Sequence, residues 1–362
     1  MEYNILVINP GSTSTKIAYY RKGEQLLLTN VEHSPDCLAM QNSKKEQIDF
    51  RQTEILQVLN EAGIDLKELD GVASRGGTFG KMHSGAYLVD EELVHASMSP
   101  DASHASNLGA VIAFDIAKMY GVKAYIYDAV SADETQEIAH YTGLKGVYRK
   151  NRTHVLNTKA ICRRTAEECG CRYEDMNFIA VHIGGGISVN AHKKGDIIDS
   201  VSGDDGPMSV QRAGGFSTLT LIELCFCGKY TREQLEKIVM TEGGIVSHFG
   251  TYDVKSVEEK AGNGDGYAKT IMEVWAYQIS KAVGEMAAVL RGDVDYIVIS
   301  GGAAYSGVLT DMISSRVRFI APIRVIPGSL EMPALANGVA KVLSGEEDAR
   351  RYKREEKYFD RR

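Results

Sequence analysis

An apolar run, Asn4-Ile5-Leu6-Val7-Ile8-Asn9, enters a polar turn, Pro10-Gly11-Ser12-Thr13-Ser14-Thr15-Lys16, and leaves it at once as Ile17-Ala18-Tyr19-Tyr20. The same figure returns about 170 residues later: Phe178-Ile179-Ala180-Val181-His182-Ile183, then Gly184-Gly185-Gly186, then Ile187-Ser188-Val189-Asn190-Ala191. Strand, tight turn, strand is how a chain offers backbone N–H groups and hydroxyls to a phosphate. The first copy adds an ammonium, Lys16, and the second lacks it. A figure that opens each half of a chain predicts an α/β protein of two similar lobes, with a nucleotide in the cleft between them.

The length agrees. At 362 residues the chain exceeds what one hydrophobic core serves, about 250–300 residues. The lobe boundary is placed by the repeat: 1–153 form an N-terminal lobe, completed by a C-terminal helix at 331–362, and 154–330 form the second lobe. A net charge of −7 gives no reason to expect nucleic acid or an anionic membrane as partner. Glu2 and Asn4 precede the first apolar run, so it does not read as a signal peptide. The most apolar helical stretch, 276–290, is cut by Lys281 and Glu285 and is not expected to span a bilayer. Six cysteines include two C-x-C pairs, Cys169 with Cys171 and Cys225 with Cys227, but not the spaced second pair of a zinc site. Unpaired thiols suit a reducing cytoplasm.

Between the hairpins the periodicity alternates. A third strand is expected at Gln25–Leu28, and a helix from Glu46 to Ala62 carries Ile48, Ile55, Leu56 and Leu59 on one face. A buried strand at Val72–Ser74 ends at Arg75-Gly76-Gly77. A helix at Ser106–Tyr120 turns Leu108, Ile112, Ile116 and Met119 inward, and the strand Lys123–Tyr127 delivers Asp128 at its carboxyl end. In open α/β sheets, ligands collect at such ends. In the second half, a helix at 157–169 is capped by Asn157 or Thr158, and helices follow at 218–227, 231–240 and 266–290. The strand Tyr296–Ile299 empties into Ser300-Gly301-Gly302, Arg324–Ile326 is the last strand, and 331–343 the last helix. Residues 345–362 carry dense charge of both signs and read as a solvated helix or frayed tail.

The chain has no G-x-x-x-x-G-K-[ST], no G-x-G-x-x-G, and no H-R-D with D-F-G, which argues against P-loop NTPases, Rossmann dehydrogenases and protein kinases. Strand ends and glycine turns instead carry Asn9, Ser12, Ser14, Lys16, Arg75, His104, Asp128, His154, His182, Arg212 and Glu331. Cations set against equatorial oxygens, with carboxylate and amide groups to hold Mg²⁺, are what phosphoryl transfer asks for.

These residues resemble the acetokinase family, carboxylate kinases of the actin/hexokinase/Hsp70-type superfamily with a ribonuclease H-like lobe. Val7 to Lys16 is similar to the family's N-terminal signature. Ser74-Arg75-Gly76-Gly77, Tyr127-Asp128, Arg152-Thr153-His154, Val181 to Gly186, Arg212-Ala213-Gly214 and Ile299 to Gly302 follow in family order, covering about 1–345. The stretch Asp204 to Gly214 resembles the butyrate-kinase form of the arginine segment. The resemblance implies a reversible, direct in-line transfer between ATP and butyrate or a short branched-chain carboxylate, giving acyl phosphate and ADP. It also implies a homodimer or higher homo-oligomer.

By match, Asn9 and Glu331 would hold Mg²⁺, while Ser12, Ser14 and Lys16 would line the first phosphate loop. Arg75 and Arg212 would grip the carboxylate and the migrating phosphoryl, Asp128 would anchor the site, and His154 would hydrogen-bond the phosphoryl. His182, Gly184, Gly185 and Gly186 would meet the ADP phosphates, Gly301 and Gly302 the adenosine side. Asp253 and Lys255 fall where acetate kinases carry Asp-x-Arg against adenine, and Ser300-Gly301-Gly302 continues as Ala-Ala-Tyr, two departures from the acetate-kinase pattern. His104 and Thr153 would line the acyl pocket. Acetate kinases place bulky groups before the matching histidines, where Ser103 and Thr153 stand here, so a roomier pocket, widened also by Gly76 and Gly77, is expected. Acetate or propionate kinase is the near alternative. A nucleotide-gated interaction protein of the same fold is the remote one, disfavoured because it needs no carboxylate clamp.

Overall fold

The computed structural model describes residues 2–34, 36–37, 40–41, 43–99, 102 and 105–353. Two compact units divide the chain: unit 1 is Met1–Asp133 with Leu330–Arg362, and unit 2 is Glu134–Ser329.

Unit 1 opens on an antiparallel meander of β1 (Ile5–Pro10), β2 (Ser14–Arg21) and β3 (Glu24–Glu32). The third strand is longer than the expected Gln25–Leu28. Helix α1 (Lys44–Glu61) follows, its Ser43 cap accepting from the Glu46 N–H at 3.2 Å. Then come β4 (Gly71–Arg75), parallel to β1, the short strand β5 (Ala86–Leu88), α2 (Glu91–Met98), α3 (Ser106–Tyr120), and β6 (Lys123–Tyr127), parallel to β4 and antiparallel to β5. In α3 the buried face of the last turn runs through Ile116 and Ala117, which leaves Met119, expected inward, 58% exposed.

The first α-helix of unit 2 is α4 (Val155–Glu168), and the unit repeats the plan. β7 (Asn177–Ile183), β8 (Ile187–Lys193) and β9 (Asp196–Ser202) form a second antiparallel meander. Helices α5 (Thr218–Phe226), α6 (Arg232–Met240), α7 (Gly244–Phe249), α8 (Val254–Gly262) and α9 (Gly266–Val289) follow. β10 (Tyr296–Gly301) runs parallel to β7, α10 (Gly307–Val317) follows, and β11 (Ile323–Pro327) runs parallel to β10. The core gathers around Trp275 of α9, whose indole N–H donates to the Met208 carbonyl at 2.9 Å. Residues 134–153, read from sequence as part of the first lobe, lie with unit 2: the Gln136 N–H donates to the Ile198 carbonyl, and Glu134 pairs with the buried Lys159 of α4 at 2.7 Å.

The chain then returns to unit 1 with α11 (Glu331–Ser344) and β12 (Arg350–Arg351). Both α3 and α11 pack on β1 and β4. Ile5, Leu6, Val7 and Ile8 are therefore all buried, and the run is apolar at every position instead of alternating. Residues 345–353 are not a solvated tail. The Glu347 carboxylate accepts from the Ala86 N–H and the Tyr127 hydroxyl, both at 2.9 Å, β12 pairs with β5, and the buried Tyr352 hydroxyl donates to the Phe79 carbonyl. Glu347 has fixed partners, so a stretch that looks solvated by charge count adds a strand to the sheet. Residues 354–362 lie outside the described residues.

Candidate active site

The first glycine turn joins β1 to β2 and is closed by Gly11 N–H to Ser14 carbonyl at 2.8 Å. Ser12 and Lys16 are exposed, and Lys16 stands opposite Asn9 in the β1–β2 register. Behind the turn lies Arg51, which sequence reasoning missed. It occupies the apolar stripe of α1, three residues after Ile48 and four before Ile55, and is 1% exposed. Its guanidinium donates to the Ser12 carbonyl at 2.9 Å, the Ser14 carbonyl at 3.0 Å and Thr15 Oγ1 at 2.9 Å.

Three predicted residues meet at the carboxyl ends of β1 and β4. Asn9 Nδ2 donates to Glu331 Oε2 at 2.9 Å, and Arg75 Nη1 lies 3.5 Å from Glu331 Oε1. Glu331 is the first residue of α11, where a carboxylate also suits the positive end of the helix dipole. The Arg75 Nε is buried and has no hydrogen-bond acceptor among the described residues. Asp128, after β6, is buried with φ of 44°, a left-handed backbone rare outside glycine. Gly85 holds it there: the Gly85 N–H donates to Asp128 Oδ1 at 2.8 Å, and the Asp128 N–H donates to the Gly85 carbonyl. Strain of this sort persists where the surroundings fix it, often at functional sites.

Unit 2 gathers its own set. His154 and His182 stack with ring centroids 4.0 Å apart. His154 Nδ1 bonds Ser188 Oγ at 3.0 Å, and Asn157 Nδ2 donates to His182 Nδ1 at 2.9 Å. With Nδ1 accepting, the His182 proton sits on Nε2. The Gly184–Gly186 turn closes on itself at 2.8 Å and is pinned by the arginine segment, whose Ser209 Oγ donates to the Gly185 carbonyl at 2.6 Å. A Cβ on Gly186 would lie 3.3 Å from the Arg212 guanidinium carbon and 3.5 Å from His154 Cε1. Arg212 and His154 thus converge on one glycine turn, with Asp204 Oδ1 3.6 Å from Arg212 Nη1.

Residues 4–315 match the Acetokinase family. The chain belongs to the acetokinase family. It is 42% identical over 356 residues to butyrate kinase 2 of Clostridium acetobutylicum, covering 98% of this chain and all of that protein. It is 40% identical to the probable butyrate kinase 2 of Caldanaerobacter subterraneus subsp. tengcongensis, covering 97% and 99%. Among solved structures it resembles the acetate kinase of Porphyromonas gingivalis, with a TM-score of 0.78 at 20% identity over 94% of this chain and all of that one. A propionate kinase from Francisella tularensis gives 0.74 at 16% identity over 93% and 98%. The expected two-lobed, actin/hexokinase-like α/β fold is the fold found.

In this acetokinase the structure departs from expectation at the cap of α4 and at Gly76 and Gly77. Asn157 and Thr158 do not cap α4. His154 holds that place, and both lie fully buried inside the first turn, where Thr158 Oγ1 accepts from Asn190 and Asn157 reaches Ser300 as well as His182. Gly76 and Gly77 do not open a pocket. A Cβ on Gly76 would meet that of Ala129 at 2.5 Å, and one on Gly77 would overlap the Asn107 side chain, so both are glycines for close packing. Thr153 is buried and donates to Asn190 Oδ1 at 2.5 Å. Ser103 and His104 lie outside the described residues. Asp253 caps α8 by accepting from the Lys255 N–H at 3.0 Å, and the Lys255 side chain is 83% exposed, 4.0 Å from Glu259. Gly301, with φ of 95°, sits where a Cβ would strike the Ile183 carbonyl, while Gly302 has open space. None of these packing demands leaves a periodic mark in the sequence.

Proposed function

We propose that this acetokinase transfers the terminal phosphoryl group of ATP, reversibly, to butyrate or a short branched-chain carboxylate. The observation that carries the reading is Arg75: a guanidinium at a strand's carboxyl end, oriented by Glu331, with a buried Nε lacking an acceptor among the described residues. The side chain is 21% exposed, and a substrate carboxylate that reaches the open part of the guanidinium is held by a charge-assisted bond.

The carboxylate oxygen is already anionic, so no general base is needed. It attacks the γ-phosphorus, an O–P bond forms, the bond to the bridging oxygen breaks, and its electron pair leaves on ADP. Catalysis is then alignment and charge neutralisation. Ser12, Ser14 and Lys16 serve the phosphates, as do His182 and the Gly184–Gly186 turn, with Gly301, Gly302, Asp253 and Lys255 serving the nucleoside. Arg212 and His154 take the charge spreading over the migrating group, and Asp128 keeps the carboxyl end of β6 in place.

Asn9 Oδ1 and the Glu331 carboxylate are the oxygens suited to Mg²⁺, which takes one or two protein oxygens alongside phosphate oxygens. The Asn9 amide donates its N–H to Glu331, which turns both groups to one place. When bound, the ion would neutralise charge on the β- and γ-phosphates.

The butyrate preference draws its support from the relatives, both named as butyrate kinases, since Gly76 and Gly77 make no room. Acetate and propionate remain the second reading, from the structural neighbours' names. An acyl-chain series with ATP, trapping product as hydroxamate, decides between them. A buried methylene is worth about 0.8 kcal/mol, so butyrate should exceed acetate in kcat/KM by roughly tenfold. A preference for acetate sinks the butyrate reading and leaves the carboxylate kinase standing, whereas no hydroxamate with any short acid sinks both.

We also propose a homo-oligomer formed through α5. None of its residues is buried, and Leu219, Leu221, Ile222 and Phe226 stand exposed, Phe226 at 84%. A contiguous apolar face of this kind marks an association surface. Wild type should sediment as an oligomer and Phe226→Asp with Leu219→Asp as a smaller species; an unchanged profile refutes α5 as the contact. No helix among the described residues is long and apolar enough to cross a membrane. All six cysteines are free thiols, which fits the cytoplasm.

A further inference from the structure

Arg51 is the largest charged side chain buried in unit 1, and its partners are unusual. A buried cation is normally paired, because an isolated one is costly to remove from water. No carboxylate lies within 4.0 Å of Arg51 among the described residues. Its three donated bonds go to two main-chain carbonyls and one hydroxyl, all on the Ser12–Thr15 turn, and its Nε has no acceptor. The other titratable group beside it, His33, brings no negative charge. Thr15 Oγ1, which accepts from Arg51, lies 2.9 Å from His33 Nε2, and burial together with the Arg51 charge lowers the His33 pKa to about 4, leaving the ring neutral at pH 7. The His33 N–H also donates to the Thr13 carbonyl at 2.8 Å, so the turn is tied down from two sides.

We infer that Arg51 is a positioning residue for the nucleotide: it draws the Ser12 and Ser14 carbonyls inward, and the phosphate bound on the outer side of the turn supplies its missing counter-charge. With these carbonyls turned toward Arg51, Ser12, Thr13 and Lys16 are the residues left exposed on the turn. The guanidinium sets the shape of the turn and adds positive potential beneath it. This inference rests on the proposed ATP chemistry and says which buried group makes the turn fit for a phosphate.

The test separates phosphate from nucleoside. Arg51→Met and Arg51→Lys are compared with wild type for ATP KM, kcat, thermal midpoint, and the Kd of ADP and of adenosine. Charge-assisted bonds of this sort are worth about tenfold to a hundredfold. Arg51→Met should raise the ATP KM and ADP Kd by at least tenfold and leave adenosine affinity within about twofold. Arg51→Lys should recover a substantial part of the ADP affinity, since it restores the charge without the fork. Should the methionine variant not fold, the lysine variant decides alone, by weaker ADP binding with adenosine unchanged. The inference is overturned if a folded variant keeps wild-type ATP KM and kcat, or if ADP and adenosine affinities fall together. If wild type shows no carboxylate-dependent ATP turnover, the proposed function fails instead, and the ADP and adenosine measurements still judge Arg51.

Discussion

Arg212→Ala is expected to lower kcat by roughly 10²–10³-fold or more while moving the ATP KM far less. Its guanidinium shares the Gly186 turn with His154 and is aimed by Asp204 at 3.6 Å. Charge on a migrating phosphoryl group spreads fully only in the transition state, so a donor placed there acts mainly on kcat. The backbone should stay in position when the side chain is removed. The Arg212 N–H is held by Ser209 Oγ at 3.0 Å, and its carbonyl accepts from the Ser209 N–H at 3.1 Å. Hydroxamate-coupled kinetics at saturating ATP and carboxylate measure the loss directly. Turnover that survives within a few-fold removes Arg212 from the reacting centre.

Arg75→Ala should lower kcat and also raise the carboxylate KM, by on the order of tenfold or more, because its target carries full charge before reaction begins. The substitution takes away the buried Nε donor and the partner of Glu331 at 3.5 Å together. Glu331 keeps its bond from Asn9, so the ATP KM should rise less than that of the acid. Initial rates over a butyrate series at fixed Mg·ATP give both constants. An unchanged butyrate KM would mean that Arg75 does not hold the acid, and the division of labour between the two arginines would have to be redrawn.

The two meanders were legible because each carries its own signal: the apolar runs Ile5–Ile8 on β1 and Phe178–Val181 on β7, then glycine and hydroxyl residues at the first turn and three glycines at the second. Asn9, Arg75 and Glu331 could be picked out by kind, but their meeting on Glu331 joins distant parts of the chain and leaves no local trace. Arg51 was hidden by the very pattern that revealed α1. The apolar stripe was read through Ile48, Ile55, Leu56 and Leu59, and the polar residue after Ile48 passed as a gap, although a lone arginine within such a stripe was the signal available. Asn157 and Thr158 look like caps by type, yet their amide and hydroxyl are used up by His182, Ser300 and Asn190. The strand Ala86–Leu88 is only three residues long, too short for alternation to show, and β12 could not be read without it.

The interruption of unit 1 by unit 2 orders events during synthesis. Residues 134–329 are contiguous, so the second unit is complete in sequence while the last residues are still within the ribosome. Unit 1 is not. Until α11 has emerged, β1 and β4 lack the helix that packs on them, Tyr127 lacks the Gly338 surface against its ring, and the Ala86 N–H lacks Glu347. The half that is made first is thus the half that finishes last. Asn9 and Arg75 wait for Glu331 until the 330 residues before it have been made, so no shorter nascent fragment brings the three together.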